Sequence, residues 1–131
     1  MVLGNILSQP EIPPWLREQL ARFEQLQQNL QAVLAQKQQV DAELSEADKA
    51  LVELKNVADG EQIYKYAGSL LIKVSKEVIS KELDEKKEIS TTRQLVLAKQ
   101  ESRLKDSIKE LQAKIDDALR GRASASQAQS E

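Results

Sequence analysis

The chain has 131 residues, and its composition argues against a compact globular enzyme. Only 3% of the residues are aromatic and 31% are charged, which is a thin supply for a large buried core. The absence of Cys and His excludes thiolate nucleophiles, disulfides, most transition-metal sites and the usual proton shuttle near neutral pH. We therefore expect a binding or structural protein that uses no cofactor and no metal.

Charge and hydropathy narrow the class of partner. The net charge is −2, and acidic and basic residues are interspersed, so nothing steers the chain to nucleic acid or to an anionic membrane. No stretch approaches the roughly 20 apolar residues of a membrane span, and the first nine residues lack a cationic leader. We expect a soluble, cytoplasmic protein.

A first long helix is predicted for about residues 14–55. Pro13 and Pro14 suit its first turn, and Asp59 with Gly60 supplies turn chemistry beyond its end. Its apolar residues recur with the heptad spacing of a coiled coil over nearly six heptads. The seam is Leu16, Phe23, Leu30, Lys37, Leu44 and Leu51 at position a, and Gln19, Leu26, Val33, Val40, Ala47 and Leu54 at position d.

A β-hairpin is predicted for about residues 62–74. Two short runs of β-branched, aromatic and aliphatic residues flank Ala67, Gly68 and Ser69, which make a tight connection. Neither face of this hairpin is wholly polar, and an isolated two-stranded hairpin is marginal in water. We expect strands from other subunits to cover it, although the hairpin could also fold onto the near end of its own coiled coil.

A second long helix is predicted for about residues 76–119. Ser75 is a plausible N-cap, with Glu77 in the first turn. The seam is apolar near the C-terminus, but in the middle it meets polar residues while Ile89 and Val96 form a competing stripe. We expect looseness, a register shift or a contact with a neighbouring chain there. The predicted seam is Leu83, Lys87, Ser90, Gln94, Leu97, Glu101, Leu104, Ile108, Leu111, Ile115 and Ala118.

Both chain ends are predicted to lie outside this packed architecture. Arg120 and Gly121 make a reasonable helix stop, and residues 121–131, mostly Ala, Ser and Gln, are too polar and small to pack, so we expect them to form a disordered tail. Residues 1–12 are expected to form a flexible N-terminus. The fold class is therefore mainly α: a long antiparallel two-helix coiled coil, joined by a single β-hairpin that assembles with other subunits into a β platform.

The order of these elements resembles the beta class of the archaeal-type prefoldin subunits. The most specific stretch is residues 61–76, EQIYKYAGSLLIKVSK, which is similar to the hairpin motif of that family. Residues 25–46 resemble the family's first helix, and residues 108–115, IKELQAKI, resemble the end of the second. The beta class is favoured because the chain has one hairpin where the alpha class has two.

The resemblance implies an assembly and an activity. Prefoldins of this kind are hexamers of two alpha and four beta subunits, whose hairpins join in a central platform. They hold non-native proteins without ATP and pass them to a group II chaperonin. The chain has no GxxxxGK[ST] loop, which is consistent with the absence of an ATPase.

Two sets of residues are candidate sites if the resemblance holds. The first set would bind unfolded clients at the free tips of the helices, and the second would hold subunits together. The predicted client-binding residues are Ile12, Trp15, Leu16, Leu20, Phe23, Leu111, Ile115 and Leu119. The predicted assembly residues are Ile63, Tyr64, Tyr66, Leu70, Leu71, Ile72 and Val74.

Two alternatives remain open at this point. The apolar residues near the tips could simply close the last layers of the coiled coil. The whole chain could also be a coiled-coil adaptor or scaffold that links folded partner proteins and never handles unfolded clients.

Overall fold

The structure is a computed structural model in which the backbone is described for residues 12–129 and the side chains for residues 12–122. Its elements are helix α1 (Pro14–Lys55), strand β1 (Ile63–Ala67), strand β2 (Leu70–Val74) and helix α2 (Lys76–Gln129). The predicted fold class, two long helices with an antiparallel hairpin between them, is confirmed. No described helix is long and apolar enough to cross a membrane.

Local sequence signals account for the element boundaries around the hairpin. Pro14 is the first residue of α1, where a missing N–H is harmless. Gly60 takes a φ of 89° in a turn closed by the Glu61 amide, which donates to the Ala58 carbonyl at 3.2 Å. Ser75 caps α2 as predicted, because its Oγ accepts a hydrogen bond from the Val78 amide at 3.1 Å.

The far end of α2 differs from the sequence prediction. The helix continues to Gln129, so Gly121 lies inside it and does not end it. A glycine inside a helix costs only about 1 kcal/mol relative to alanine, and the alanines that follow favour helix. Residues 121–129 are thus helical where a disordered tail was expected, whereas residues 130–131 lie outside the described residues.

The predicted flexible N-terminus is described only at its last residue. Residues 1–11 lie outside the described residues. Ile12 is buried and belongs to a packed cluster, and the flexibility of the N-terminus stays a prediction.

The described chain divides into two compact units. The hairpin unit is Ala35–Ala98, and the terminal unit combines the residues up to Leu34 with those from Lys99 onward. In the hairpin unit the two helices run antiparallel, since Asp41 contacts Gln94 and Asp48 contacts Lys87. The core of the terminal unit is a cluster of Ile12, Leu16, Leu20, Phe23, Leu111 and Ile115, with Leu26, Ile108, Ala118 and Leu119 packed against it.

The heptad seam of α1 is confirmed along its whole length. All twelve predicted a and d residues are buried or half-buried, including the polar Gln19 and Lys37. The seam of α2 also keeps a single register, because every predicted seam residue except Lys87 is at least half-buried. The expected register shift in the middle of α2 does not occur.

Candidate functional site

The β-hairpin is held in a single register by its turn. Gly68 has a φ of 62°, whereas Ser69 has a negative φ, as in a type II′ turn with glycine first. This two-residue turn pairs Ala67 with Leu70, and the pairing continues to Ile63 opposite Val74. The register fixes which side chains share a face of the hairpin and which backbone groups reach its edges.

One face of the hairpin lies toward its own helix. Lys65 donates to both carboxylate oxygens of Glu82 on α2 at 3.0 Å, which anchors this face. Ile63 and Val74 on the same face are half-buried. The sequence left open whether other subunits or the chain's own helices cover the hairpin. In the single chain, its own helix covers only part of one face.

The hairpin also exposes apolar side chains on both of its faces: Leu70 and Ile72 lie on the face of Lys65, and Tyr64, Tyr66 and Leu71 lie on the opposite face. Tyr66 keeps 82% of its surface exposed, and Leu70 keeps 64%. Five of the seven predicted assembly residues belong to this exposed apolar surface, which we call the hairpin surface. Its members are Tyr64, Tyr66, Leu70, Leu71 and Ile72.

The two outer edges of the hairpin present unpaired backbone groups in the chain as described. Because a two-residue turn makes Ala67 and Leu70 a hydrogen-bonded pair, every second pair along the ladder is bonded in the same way. The backbone groups of Tyr64 and Tyr66 then face outward on β1, and those of Leu71 and Lys73 face outward on β2. Each edge can accept a further strand.

The predicted client-binding residues come together in the terminal unit, but most of them are internal. Leu20 is only 1% exposed, and Leu16 and Phe23 are also buried. Trp15 is the exception, with 52% of its surface exposed. It is the one large apolar side chain that the described part of the terminal unit presents to solvent. The remaining members of the predicted set are buried or half-buried in the core cluster: Ile12, Leu111, Ile115 and Leu119.

The middle of α2 carries exposed apolar residues that were not included among the predicted site residues. Ile89, Leu95 and Val96 are each at least half exposed, while Ser90 between them is 2% exposed. In the sequence, only the competing stripe of Ile89 and Val96 indicates this surface.

Electrostatics across the helices of the hairpin unit are confined to the surface. Lys87 lies 2.8 Å from Asp48, and its hydrogen bond and charge interaction with that carboxylate raise the pKa of Lys87 above its ordinary value. No group of three or more potential metal ligands occurs within the described residues.

The comparisons with known proteins agree with this architecture. The family model for prefoldin subunits matches residues 17–122. The chain is 42% identical over 108 residues to the prefoldin subunit beta of Sulfurisphaera tokodaii, an alignment that covers 82% of this chain and 86% of the relative. It is 45% identical over 109 residues to the prefoldin subunit beta of Pyrococcus furiosus, covering 83% and 93% respectively.

A solved structure is similar over most of the chain. The crystal structure of the prefoldin beta subunit from Thermococcus strain KS-1 superimposes with a TM-score of 0.74 at 42% sequence identity. The match covers 86% of this chain and 98% of the other. Prefoldin subunits are components of a chaperone and are not enzymes. The chain therefore belongs to the prefoldin subunit family, with the features of its beta class.

Proposed function

We propose that this chain is the beta subunit of an ATP-independent chaperone in the cytoplasm. It assembles with a prefoldin alpha subunit and further beta subunits into a hexamer of two alpha and four beta chains. The assembly holds non-native proteins and delivers them to a group II chaperonin. The observation that carries this proposal is the exposed hairpin surface in a chain similar to prefoldin beta subunits over more than four fifths of its length, 83% in one alignment.

Assembly through the hairpin surface follows from its burial and its open edges. A surface of five large apolar side chains is costly to leave in water, because each contributes about 1.5–3 kcal/mol when fully buried. Strand addition at the Tyr66 or Leu71 edge pairs the backbone groups, and packing of the enlarged sheet against other subunits covers the side chains on its faces. Repetition of this contact around several subunits produces the β platform.

Client binding begins at Trp15 in this proposal. With about half of its surface exposed, the indole can contribute roughly half of the 1.5–3 kcal/mol of a full burial. A single contact of that strength is weak and reversible. Several chains in one hexamer present several such contacts, which raises avidity while each contact still releases quickly.

The buried residues of the core cluster bind a client only after local opening of the terminal unit. Ile12 and Ile115 become available only when the core cluster opens locally, and local opening costs less free energy than global unfolding. The predicted client set then acts in two stages: Trp15 makes the first contact, and local opening exposes the others. The chaperonin contact is assigned to the same end of the molecule or to the C-terminal segment.

Co-expression with a candidate alpha subunit tests the proposed function. The mass of the purified complex should correspond to two alpha and four beta chains. The complex should also suppress aggregation of several unrelated denatured proteins at near-stoichiometric ratios, without ATP. A complex that binds one folded partner and suppresses no aggregation would instead identify the chain as an adaptor or scaffold.

A matched pair of variants tests the client site within the intact complex. Val52 on the same helix is 54% exposed, nearly the same as Trp15, but lies in the hairpin unit. Trp15→Gln should weaken aggregation suppression while leaving the complex mass unchanged, and Val52→Gln should alter neither. Equal suppression by the two variants would remove Trp15 from the site.

A further inference from the structure

The outward face of α2 between residues 89 and 96 is more apolar than the face turned toward α1. Ser90 is buried in the seam, whereas Ile89 beside it is 62% exposed. Rotating the helix by one residue would bring Ile89 and Val96 into the seam in place of Ser90 and Leu97. The structure does not adopt this alternative, although it would bury more apolar surface at Ile89.

Polar contacts across the hairpin unit hold the observed register. The Gln94 side chain donates to Asp41 at 2.6 Å, and Arg93 lies 3.6 Å from Glu43. With the pair of Lys87 and Asp48, these contacts are spread over eight residues of α2, from Lys87 to Gln94. A helix fixed in this way keeps its apolar stripe pointing away from α1.

Thr92 within the stripe is less polar than the sequence indicates, and Thr91 beside the stripe makes the same kind of contact. The hydroxyl of Thr92 donates to the Glu88 carbonyl at 3.1 Å, and that of Thr91 donates to the Lys87 carbonyl at 2.8 Å. A hydroxyl that is satisfied within its own helix leaves the methyl group to face outward. We call Ile89, Thr92, Leu95 and Val96 the outer patch.

The charges that flank the outer patch indicate what covers it. Glu85 lies seven residues before Thr92 on the outward face, and Lys99 lies seven residues after it on the same helix. Both side chains are exposed, and neither has an ion pair among the described residues. The patch is therefore acidic toward its N-terminal end and basic toward its C-terminal end, with Thr92 at the centre.

We propose that the outer patch binds the outer patch of a second copy of this chain in antiparallel orientation. The two-fold axis passes beside Thr92, so that Ile89 of one copy meets Leu95 of the other. Glu85 of each copy then faces Lys99 of the other. A parallel pairing would place Glu85 beside Glu85 and Lys99 beside Lys99, which repels at both ends.

The patch is small, which determines the strength of the association. Four side chains per copy, over about 10 Å of helix, bury much less than the roughly 1,200 Å² of a stable interface. The contact is a weak, concentration-dependent one. It joins chains, or assembled complexes, in addition to the hairpin contact of the proposed function and independently of it.

Single-cysteine crosslinking of the full chain tests the geometry, because the chain contains no cysteine of its own. Packed helices 8–10 Å apart bring directly facing Cα atoms to about 3.5–5.5 Å, and a disulfide can bridge the upper part of this range. Thr92→Cys should therefore crosslink to its own copy under mild oxidation. Thr91→Cys is the matched control, with the same kind of hydroxyl contact but placed about 100° around the helix.

A charge exchange tests the orientation by sedimentation equilibrium. Glu85→Lys and Lys99→Glu should each weaken self-association about three- to tenfold, and the double variant should restore it. Ile89→Gln with Val96→Gln should abolish the outer-patch contact, seen as loss of the Thr92→Cys crosslink, while leaving the helix content unchanged. The proposal is overturned if Thr91→Cys crosslinks as well as Thr92→Cys, or if the double charge variant is no stronger than the singles. Loss of hairpin assembly in a separate variant should leave the Thr92→Cys crosslink in place.

Discussion

The hairpin surface provides the sharpest test of how the chain assembles. In the single chain Leu70 is 64% exposed and Ile72 is 42% exposed. The double variant Leu70→Ser with Ile72→Ser loses two apolar side chains that the single chain buries only in part. An assembly that covers both side chains completely loses more buried apolar area from the same change.

The magnitude can be worked from these fractions. Complete burial of each side chain contributes about 1.5–3 kcal/mol, so the fraction that is still exposed represents about 1–2 kcal/mol for Leu70 and about 0.6–1.3 kcal/mol for Ile72. The double substitution should therefore weaken assembly by about 1.6–3.2 kcal/mol per subunit, or roughly 15- to 200-fold. The chain's own fold should lose slightly less, because the fractions already buried in the single chain are smaller in sum than the exposed ones.

Sedimentation velocity of the variant with its alpha partner measures the effect. We expect small species at concentrations where the wild type is fully assembled, with the helical circular dichroism retained. Val52→Ser is the control, since Val52 is 54% exposed but lies outside the hairpin. A variant that assembles as well as the wild type would refute the assignment of assembly to the hairpin surface.

Three further outcomes follow from individual contacts. Leu20→Ala should lower the free energy of unfolding by about 2–5 kcal/mol in denaturant titrations, because Leu20 is 1% exposed; a change below about 1 kcal/mol would contradict its place in the core. Gly68→Ala should cost about 1–2 kcal/mol and weaken assembly, because a φ of 62° strains any Cβ although no atom lies near it. At pH values below the ordinary pKa of lysine, Lys87→Met should lower the melting temperature, because the variant lacks the charged contact with Asp48. The difference in melting temperature from wild type should vanish as the pH rises through the raised pKa of folded Lys87, since Lys87 then loses its charge. A difference that persists at high pH would exclude that cause.

For the predicted client-binding residues, the sequence pattern predicted their location but not their exposure. Heptad spacing placed Trp15, Leu20 and Phe23 near one another, and they do lie at the same end of α1. The pattern did not separate the exposed indole from the two buried side chains, because all three are large and apolar. Polar substitution of all three together would unfold the core cluster, so Trp15 alone is the informative position. Their role in client binding stays a prediction.

In the middle of α2, the sequence did not determine which stripe faces α1. The sequence offered two competing stripes there, one containing Ser90 and one containing Ile89. Apolar content alone favours the stripe with Ile89. The structure buries Ser90, because Gln94 and Lys87 can then reach acidic residues on α1. Those contacts depend on which residues α1 places opposite, and no local window of α2 contains that information.

The sequence by itself determined the two helices, the hairpin between them, its glycine turn and the Ser75 cap. These features depend on interactions over a few residues or on a sustained period, and both can be read along the chain. The family followed from the hairpin motif in the same way. Only the tertiary structure decided the register of α2, the separation of exposed Trp15 from the buried cluster and the outward direction of Ile89 and Val96. Each of these depends on the side chains that another part of the chain brings into contact.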